Sequence, residues 1–593
     1  MKNIKISDIT MMAKTVMPVA LLALMPFWTA CTDSWDDHYE GTAEGMVSKT
    51  MWQTINEDQN LSNFAKVLKA TGYDETLNST QVFTVFAPVN SLFTETRADS
   101  VIDLFNAEQA AGMKLRDNRA IKEFVENHIA LYNYSVTETS VDTVVMLNGK
   151  YMELKSGAFS TATLQTTNTL TQNGILFTLE DKANYAHNVF EYLQNDPELD
   201  SVGKFLKQYT YYEFMPSQSV AWGVEDGKTV YLDSVFALYN TMFSQLGLIQ
   251  REDSFYRMVA PTNEVWKQLV EEYEHYFNYD KQVRKRDSML YVAPRLAILK
   301  GTAFSRTRNA KQVNGEFEWN RDSAMSVAAP YYSYRRSYFG SQLLAYYQYA
   351  KPFDEGGVFT GGTTVNCSNG EIIKASTWNI DKRSTFMWDL FMEGENRNYL
   401  ESVDETTTND PSSMSIPSTI NLTDTATLTT VTISNPFYQK VSSNTYTLIS
   451  PKGVSNASVT FKIFNQLSNV PYDIYVVFVP AIAADPLSTD NVPVKFRASY
   501  SCHNEEGNFP GNNGKVTYTV LSVDGASEFE TDPTKVDTVK VASGLTFPVS
   551  SWDLDESQVY LKLETRLRSA DRNNHTHTAN MRIDCIIVKP HEE

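Results

Sequence analysis

Cysteine is scarce in this sequence, and basic residues are outnumbered by acidic ones. The four cysteines, Cys31, Cys367, Cys502 and Cys585, include no C-x-x-C pair. A disulfide scaffold of the kind that small secreted domains need is therefore excluded. Lys and Arg number 51 against 71 Asp and Glu, which gives a formal charge of -20. Because nucleic-acid affinity depends on cationic side chains that replace counterions, this balance argues against a nucleic-acid partner.

The sequence also lacks the short motifs of several enzyme classes. It contains no G-x-S-x-G nucleophile elbow, no H-E-x-x-H metal motif, no P-loop and no glycine-rich dinucleotide corner. We therefore expect a protein that is not an enzyme and holds no cofactor, metal or catalytic residues. The alternative from another class is a surface glycoside hydrolase with a carboxylate pair, because any two of the 71 acidic residues can converge in space.

Long apolar runs are absent except at the N-terminus. After a basic start, the run at 16–28 is shorter than the roughly 20 residues that cross a bilayer, so residues 1–30 are predicted to be a signal peptide. Two small residues then precede Cys31, an arrangement that resembles the lipobox of bacterial lipoproteins, although Trp28 stands where that motif usually has Leu. The resemblance implies a lipid anchor, such as palmitate, on Cys31.

The segment that follows Cys31 is acidic. Residues 31–46 include the run Thr-Asp-Ser-Trp-Asp-Asp-His-Tyr-Glu and are predicted to form a tether. The run is similar to the signals that send Bacteroidetes lipoproteins to the outer face of the outer membrane. This resemblance implies a lipid-anchored protein of the outer membrane that faces the cell exterior.

A β-prone segment that ends in Ala-Pro occurs twice. Residues 82–93 read VFTVFAPVNSLF, and residues 255–266 read FYRMVAPTNEVW. Proline cannot donate to a strand ladder, so each strand is predicted to end there. Asn90 and Asn263 follow two residues later, and each is predicted to cap the helix that comes next.

An Asn-Gly turn that enters a β-prone run also occurs twice, at 173–174 and at 369–370. The interval from Pro261 to Gly370 is 109 positions, against 86 from Pro88 to Gly174. The second copy therefore contains an insertion, which we place at about 302–354.

These paired motifs resemble the fasciclin family, whose hallmark is a strand that ends in an FAP-T-(N/D) corner, then a His-containing segment, then an NG strand. Val89 replaces the Thr in the first copy, which has its His at position 128, and the second copy has no His in the corresponding stretch 295–301. The resemblance implies an α+β fold of two fasciclin-like β-sandwich or wedge domains with flanking helices, at 47–190 and 191–395. It also implies a role in adhesion.

The C-terminal third has a different pattern. Residues 396–435 are rich in Thr, Ser, Asp and Pro and are predicted to be a linker. Alternating β-prone runs between Gly, Asn and Pro turns in residues 436–593 predict an antiparallel β-sandwich domain. Cys502 and Cys585 fall in this domain, and the sequence leaves open whether they pair.

The candidate ligand-binding residues lie in a Tyr/Arg-rich stretch of the insertion. They are Tyr331, Tyr332, Tyr334, Arg335 and Tyr338. Tyr and Arg combine a large stackable face with a polar end, which suits protein interfaces and sugar rings. The alternative is that most of these rings only pack the insertion onto its domain.

These features together predict a surface lipoprotein that binds a protein or a glycan. Adhesion to a matrix or to a neighbouring cell is one form of this function. The other is an accessory subunit of an outer-membrane nutrient-uptake system of the SusC/SusD type.

Overall fold

The structure, a computed structural model, describes residues 48–592 apart from 217–219, 226–227, 234–235, 329–330, 337–341, 346, 404–406, 411–414, 425–428, 454 and 464–465. The expected signal peptide, the lipidated Cys31 and the acidic tether lie outside the described residues. None of the helices in the described part of the chain combines the length and the apolar character that crossing a membrane requires.

The first unit combines helices with a seven-stranded sheet in the order β2-β1-β7-β6-β5-β4-β3. The strands are β1 (Phe83–Pro88), β2 (Ile129–Leu131), β3 (Val141–Val145), β4 (Tyr151–Lys155), β5 (Ala158–Phe159), β6 (Ala162–Thr171) and β7 (Gly174–Leu179). The α-helices are α1 (Met51–Glu57), α2 (Ser62–Thr71), α3 (Tyr73–Leu77) and α4 (Glu95–Ala110). Phe64, Val67 and Leu68 of α2 are fully buried, because their spacing places them on one helical face.

Strand β1 is the centre of this unit. It is buried at every position, pairs parallel to β7 and pairs antiparallel to β2. Phe83 stands opposite Gly174, where the backbone has φ of +148° and an added Cβ would lie 1.8 Å from the Phe83 carbonyl oxygen. Only glycine fits there, which explains the Gly of the Asn-Gly turn.

The second unit repeats this centre. Its α-helices are α5 (Val189–Asn195), α6 (Asp200–Lys207), α7 (Phe243–Leu246), α8 (Asn263–Tyr273), α9 (Arg286–Leu299) and α10 (Arg306–Asn309). Its strands are β8 (Thr210–Phe214), β9 (Val220–Glu225), β10 (Lys228–Asp233), β11 (Phe236–Asn240), β12 (Tyr256–Pro261), β13 (Ala303–Ser305), β14 (Ala310–Val313), β15 (Glu316–Trp319), β16 (Ser323–Met325), β17 (Tyr331–Arg336), β18 (Gln342–Ala345), β19 (Gln348–Ala350), β20 (Gly362–Cys367) and β21 (Gly370–Ala375). Four of these strands form the sheet β13-β12-β21-β20.

The pairing of β12 matches that of β1. Strand β12 is parallel to β21 and antiparallel to β13, and Tyr256 stands opposite Gly370. A Cβ at Gly370 would lie 1.9 Å from the Tyr256 carbonyl oxygen. Strands β14 to β19 form three separate two-stranded sheets within the expected insertion. A further insertion, which we did not predict, places β8 to β11 between α6 and β12.

The C-terminal region is rich in strands. These are β22 (Leu390–Glu393), β23 (Leu400–Val403), β24 (Thr407–Asp410), β25 (Thr419–Asp424), β26 (Thr429–Ser434), β27 (Thr447–Pro451), β28 (Ser458–Ile463), β29 (Tyr472–Phe478), β30 (Lys495–Cys502), β31 (Gly511–Asn512), β32 (Lys515–Val516), β33 (Thr519–Val520), β34 (Phe529–Glu530), β35 (Asp537–Leu545), β36 (Val559–Thr565) and β37 (Met581–Pro590), with one short α-helix, α11 (Ser569–Asn573). One six-stranded sheet has the order β24-β27-β37-β29-β35 with β22 on β37, and another has the order β23-β28-β36-β30-β33 with β34 on β30.

Both sheets contribute to one hydrophobic core. Val476 and Ile586 of the first sheet and Phe496 and Leu561 of the second belong to the same buried cluster. The rings of Phe478 and Phe496 lie 4.8 Å apart across the two sheets.

Residues 396–435, which we predicted to be a linker, contain strands in the structure. Strand β23 pairs with β28 and β24 pairs with β27, so part of this segment belongs to the two sheets, and β25 and β26 form a two-stranded sheet of their own. Strand β22, which lies before residue 396, already pairs with β37. A run rich in Ser, Thr and Asp is typical of turns, but threonine is β-branched and is therefore also common in strands.

Candidate functional site

The asparagines of the two Ala-Pro corners cap helices, but not the helices we predicted. Asn90 Oδ1 accepts a hydrogen bond from the Asn63 backbone N (3.1 Å), in the first turn of α2. Asn263 Oδ1 accepts one from the Ser201 backbone N (3.0 Å), in the first turn of α6. The helix that follows Asn90 begins only at Glu95. Each corner therefore joins its strand to the preceding helix, in the same way in both units.

The asparagines of the two Asn-Gly turns are also equivalent. Asn173 Oδ1 accepts from the Met51 backbone N at 2.7 Å, and Asn369 Oδ1 accepts from the Val189 backbone N at 2.8 Å. Each side-chain amide donates to carbonyl oxygens in the segment that precedes β1 or β12, at 2.8–3.0 Å and 2.9 Å. Both asparagines are buried, and each joins the first helix of its unit to the central strands.

His128 has a structural role in the first unit. It is fully buried, and its Nε2 accepts a hydrogen bond from the Ala183 backbone N at 2.9 Å. The proton is therefore on Nδ1, which donates to the Phe124 carbonyl oxygen at 2.6 Å. Burial lowers the pKa of His128 to about 4, so the ring is neutral at pH 7. In the second unit Thr302 occupies the corresponding position before β13.

A buried ion cluster joins the first unit to the second. The Nζ of Lys150 lies 2.7 Å from Glu191 and 2.6 Å from Glu252, and its side chain is 4% exposed. It also donates to Ser368 Oγ at 3.0 Å. Burial alone would raise the pKa of Glu191, but the ammonium groups of Lys122 and Lys150 hold it at about 2. No motif marks these residues, because they are distant in sequence.

The candidate residues of the Tyr/Arg-rich stretch fall partly within β17. Tyr331, Tyr332, Tyr334 and Arg335 belong to this strand, which pairs with β18, whereas Tyr338 lies outside the described residues. The register shifts between Tyr332 and Arg336, so simple alternation does not assign these side chains to faces. Their role in ligand binding stays a prediction.

Other rings of the same insertion are packing residues. Tyr347 is 1% exposed and contacts Trp388 edge to face, with 5.7 Å between the ring centroids. Tyr349 is also buried, with its ring 5.7 Å from that of Phe304. These two tyrosines are therefore packing residues, as in the alternative interpretation of the aromatic stretch.

A pocket of about 850 Å³ opens on the C-terminal sheet that contains β37 and β29. Val477, Cys585 and Ile587 line it, and they form a small buried cluster separate from the shared core. Neighbours of these residues, such as Val476 and Ile586, point into that core. Because strand side chains alternate between faces, the pocket lies on the outer face of the sheet.

A β-bulge shapes the floor of the pocket. Val476 pairs with Ile586 and Phe478 with Ile583, so two residues of β37, Asp584 and Cys585, stand opposite Val477 alone. Such a bulge bends the strand and redirects side chains. Asp584 is 3% exposed, and its carboxylate oxygens accept hydrogen bonds from the Ser442 backbone N at 3.1 and 3.2 Å.

The loop at 436–444 forms one wall of the pocket. Gln439, Ser443 and Asn444 have φ values of 66°, 55° and 54°, although none of them is glycine. The Oδ1 of Asn444 accepts a hydrogen bond from the Gln439 backbone N at 2.6 Å and thereby holds this conformation. Left-handed backbone at non-glycine residues is costly and recurs at binding sites. The shape of this wall is therefore maintained at a cost in conformational free energy.

The polar groups of the pocket are mainly at its rim. Gln439, Lys440, Thr534, Lys535 and Thr538 are exposed there. Asp584 is the one acidic residue among the lining residues that the structure describes, so the carboxylate pair of a glycoside hydrolase is not found in this lining. The lining comes from separate stretches of sequence, which is why we did not predict the pocket.

Cysteines and metal ligands do not form a further site in the described ranges. Cys502 lies in β30 and Cys585 in β37, on different sheets, and no disulfide joins them in the part of the chain that the structure describes. Burial raises the pKa of the Cys502 thiol to about 11. Within the same residues, no group of three or more His, Cys, Asp or Glu side chains is placed to hold a metal ion.

Comparison with known proteins gives one family match. Residues 59–182 match the model of the fasciclin domain. No curated protein matches the chain.

Several solved structures are similar to parts of the chain. The fasciclin domain pair of the insect cell adhesion molecule fasciclin I is 14% identical and covers 55% of this chain and 98% of its own, with a TM-score of 0.17. The C-terminal family 22 carbohydrate-binding module of a Clostridium thermocellum protein is 11% identical and covers 33% and 96%, with a TM-score of 0.16. A mannanase of Podospora anserina is 11% identical and covers 35% and 28%, with a TM-score of 0.15.

The family match covers β1, the Ala-Pro corner, His128 and the Asn-Gly turn of the first unit. These are the features on which the sequence resemblance rested. Residues 59–182 are therefore similar to the fasciclin domain.

Proposed function

We propose that this chain is a non-enzymatic binding and adhesion protein of the cell surface, with two fasciclin domains and a C-terminal β-sandwich. The observation that carries the proposal is the structural repeat. The second unit reproduces the parallel central strand pair, the glycine contact and the capping asparagines of the matched domain. Fasciclin domains are adhesion and binding modules, so two of them in one chain favour this role over catalysis.

Buried polar contacts also join the second unit to the C-terminal region. Asp280 is 1% exposed, accepts a hydrogen bond from Gln558 Nε2 at 2.8 Å and lies 3.0 Å from His503 Nδ1. The hydroxyl of Tyr279 donates to the Trp552 carbonyl oxygen at 3.0 Å. Together with the Lys150 cluster, these contacts hold neighbouring units against each other. Units that are held together in this way suit a protein that presents a binding surface.

The proposal includes a lipid anchor on Cys31 and a location on the outer face of the outer membrane. The test is metabolic labelling with a palmitate analogue, followed by membrane fractionation and protease treatment of intact cells. The wild-type chain is expected to carry the label and to be digested from outside. A Cys31→Ala variant is expected to lose both the label and the membrane association. Equal labelling of the two proteins would contradict the anchor.

The binding partner is proposed to be a surface protein or a glycan, in adhesion or in a nutrient-uptake complex of the SusC/SusD type. Beads coated with the full chain are expected to attach to immobilised outer-membrane vesicles. Replacement of Tyr331, Tyr332 and Tyr338 by alanine is expected to reduce attachment strongly. Alanine at Tyr211 and Tyr239, an exposed stacked pair 5.5 Å apart outside that stretch, is the matched control.

An equal effect of the two sets of substitutions would reject the Tyr/Arg-rich strand as the binding surface. A failure of wild-type beads to attach would contradict the adhesion function itself.

A further inference from the structure

We propose that the pocket on the outer face of the C-terminal sheet binds a short, uncharged oligosaccharide. This site goes beyond the proposed adhesion function, because its lining comes from the C-terminal region and includes no described residue of the Tyr/Arg-rich strand, although that strand contacts the pocket wall at 442–444. The inference depends on the size of the pocket, the strained wall, the division between apolar floor and polar rim, and one enclosed hydroxyl group.

The size of the pocket suits a small ligand. Its volume of about 850 Å³ lies within the range of roughly 300–1,000 Å³ that is typical of small-molecule sites. The floor residues Val477, Cys585 and Ile587 are each less than 8% exposed, although they face away from the main core. A ligand in the pocket would therefore interact with this floor mainly through van der Waals contacts.

The pocket has two chemically distinct parts. The floor is aliphatic, and the Phe437 ring and Val536 add apolar surface to the walls. The rim presents the amide of Gln439, the hydroxyl of Thr538 and the ammonium group of Lys440. A sugar ring matches this division, since it has an apolar C–H face and hydroxyl groups at its edge that both donate and accept hydrogen bonds.

The charges of the lining favour an uncharged ligand. Lys535 lies 3.6 Å from Asp532 and 3.4 Å from Asp537, so its charge is compensated at the rim. Asp584 at the base accepts hydrogen bonds from the loop. Among the cations of the described lining, Lys440 is then the one for which no ion pair is formed. A single exposed cation on a chain of formal charge -20 gives no strong attraction for an anion.

Ser443 connects the strained wall to the ligand. Ser443 lines the pocket, and its Oγ is shielded from solvent and has no hydrogen-bond partner in the part of the chain that the structure describes. An enclosed hydroxyl without a partner costs about 1–3 kcal/mol. A ligand hydroxyl in the pocket would remove that cost. The left-handed backbone at Ser443 thus holds a hydroxyl without a hydrogen-bond partner in the wall of the pocket.

The first test separates ligand binding from folding at Ser443. Glycine adopts φ of 55° without steric cost, so Ser443→Gly is expected to keep or raise the melting temperature. The same substitution removes the hydroxyl and is expected to weaken saccharide binding about 3- to 10-fold, as the loss of one hydrogen bond does. Asn513→Gly is the matched control, because Asn513 has φ of 51° in an exposed turn far from the pocket in sequence.

The second test blocks the pocket from the rim. Thr538 is exposed, so Thr538→Trp fills the opening without disturbing the core and is expected to abolish binding. Thr430→Trp, in the exposed strand β26, is the control and is expected to leave affinity unchanged. The probes are short neutral gluco-, xylo- and manno-oligosaccharides and an acidic oligogalacturonate, titrated calorimetrically into the full chain.

The expected result is binding of at least one neutral probe that both pocket variants weaken and both controls preserve. Three results would overturn the proposal: no probe binds at millimolar concentration, the pocket variants bind as well as the wild type, or the acidic probe is preferred. Bead attachment measured on Thr538→Trp separates this outcome from the adhesion function. Unchanged attachment with lost saccharide binding is the pattern expected of two separate sites.

Discussion

Replacing Lys150 with methionine is expected to destabilise the joint between the first and second units by about 3–5 kcal/mol. Methionine keeps the length of the side chain but removes its charge. The side chains of Lys150, Glu191 and Glu252 are 4%, 13% and 11% exposed, so water does not replace the missing cation. Two carboxylates would then lie buried, close together and without Lys150 between them, and Lys122 would remain as a partner of Glu191 only.

The magnitude follows from two independent arguments. Breaking a buried ion pair by removing one partner typically costs about 3–5 kcal/mol. The pKa of Glu191, held at about 2 against an ordinary value of 4.5, corresponds to a net stabilisation of its charged form of about 3 kcal/mol after the opposing effect of burial. Lys122 and Lys150 together supply the attraction behind this figure, which therefore gives the order of magnitude for the pair of cations.

The control is Lys66→Met. Lys66 also contacts two carboxylates, Glu95 and Asp99, but its side chain is 43% exposed and theirs are 75% and 49% exposed. Solvent screens such a pair, so its loss is expected to change stability very little. The two variants therefore differ mainly in burial.

The assay is hydrogen exchange of the full chain in urea, which reports the opening of β4 to β7 and of α5 separately from the C-terminal sheets. Lys150→Met is expected to increase exchange on both sides of the joint. A triple variant that also carries Glu191→Gln and Glu252→Gln is expected to recover much of the loss, because no charge stays buried without a partner. Equal effects of Lys150→Met and Lys66→Met would refute the reasoning.

Three further predictions concern the first two units. The pKa of His128 is about 4 in the folded chain, below the ordinary 6.5, so the stability that the neutral ring contributes to the first unit is fully present above pH 6.5. This contribution is lost as pH falls and amounts to about 3 kcal/mol below pH 4. Urea unfolding measured as a function of pH is expected to show the loss, and His128→Phe is expected to remove the pH dependence. Asn173→Ala and Asn369→Ala are each expected to lower the stability of their own unit by about 3 kcal/mol, because several buried backbone groups lose their hydrogen-bond partners. Hydrogen exchange measures the two losses, and unequal values would contradict the equivalent roles of the two asparagines. Gly174→Ala and Gly370→Ala are expected to destabilise their units more than the asparagine variants, since the new Cβ meets a backbone oxygen at 1.8 or 1.9 Å; a native melting temperature would contradict this.

Local patterns were sufficient to predict the central part of the first unit. The β-prone run before Pro88, the proline stop and the Asn-Gly turn each reflect backbone chemistry that a few neighbouring residues determine. The recurrence of these patterns around Pro261 also located the centre of the second unit. The helix that Asn90 caps was predicted wrongly, because a capping side chain can reach a helix that precedes it in sequence as easily as one that follows.

Features that depend on distant residues were not predictable in this way. Lys150 and its partners Glu252 and Ser368 come from three separate parts of the chain. The pocket needs a bulge in β37, a loop at 436–444 and the start of β35, and no spacing in the sequence links them. The segment at 396–435 was misread because its Thr-rich composition suits both turns and sheet-edge strands.

The most direct test of the proposed function is affinity purification of the C-terminally tagged chain from detergent-solubilised outer membranes, with the co-purifying proteins identified and quantified by mass spectrometry. A surface binding protein of the proposed kind is expected to bring down a membrane or surface partner in stoichiometric amount, and a transporter together with its surface lipoprotein would assign the chain to a SusC/SusD-type complex. Recovery of the tagged chain from the soluble fraction, alone and without lipid, would contradict the proposal.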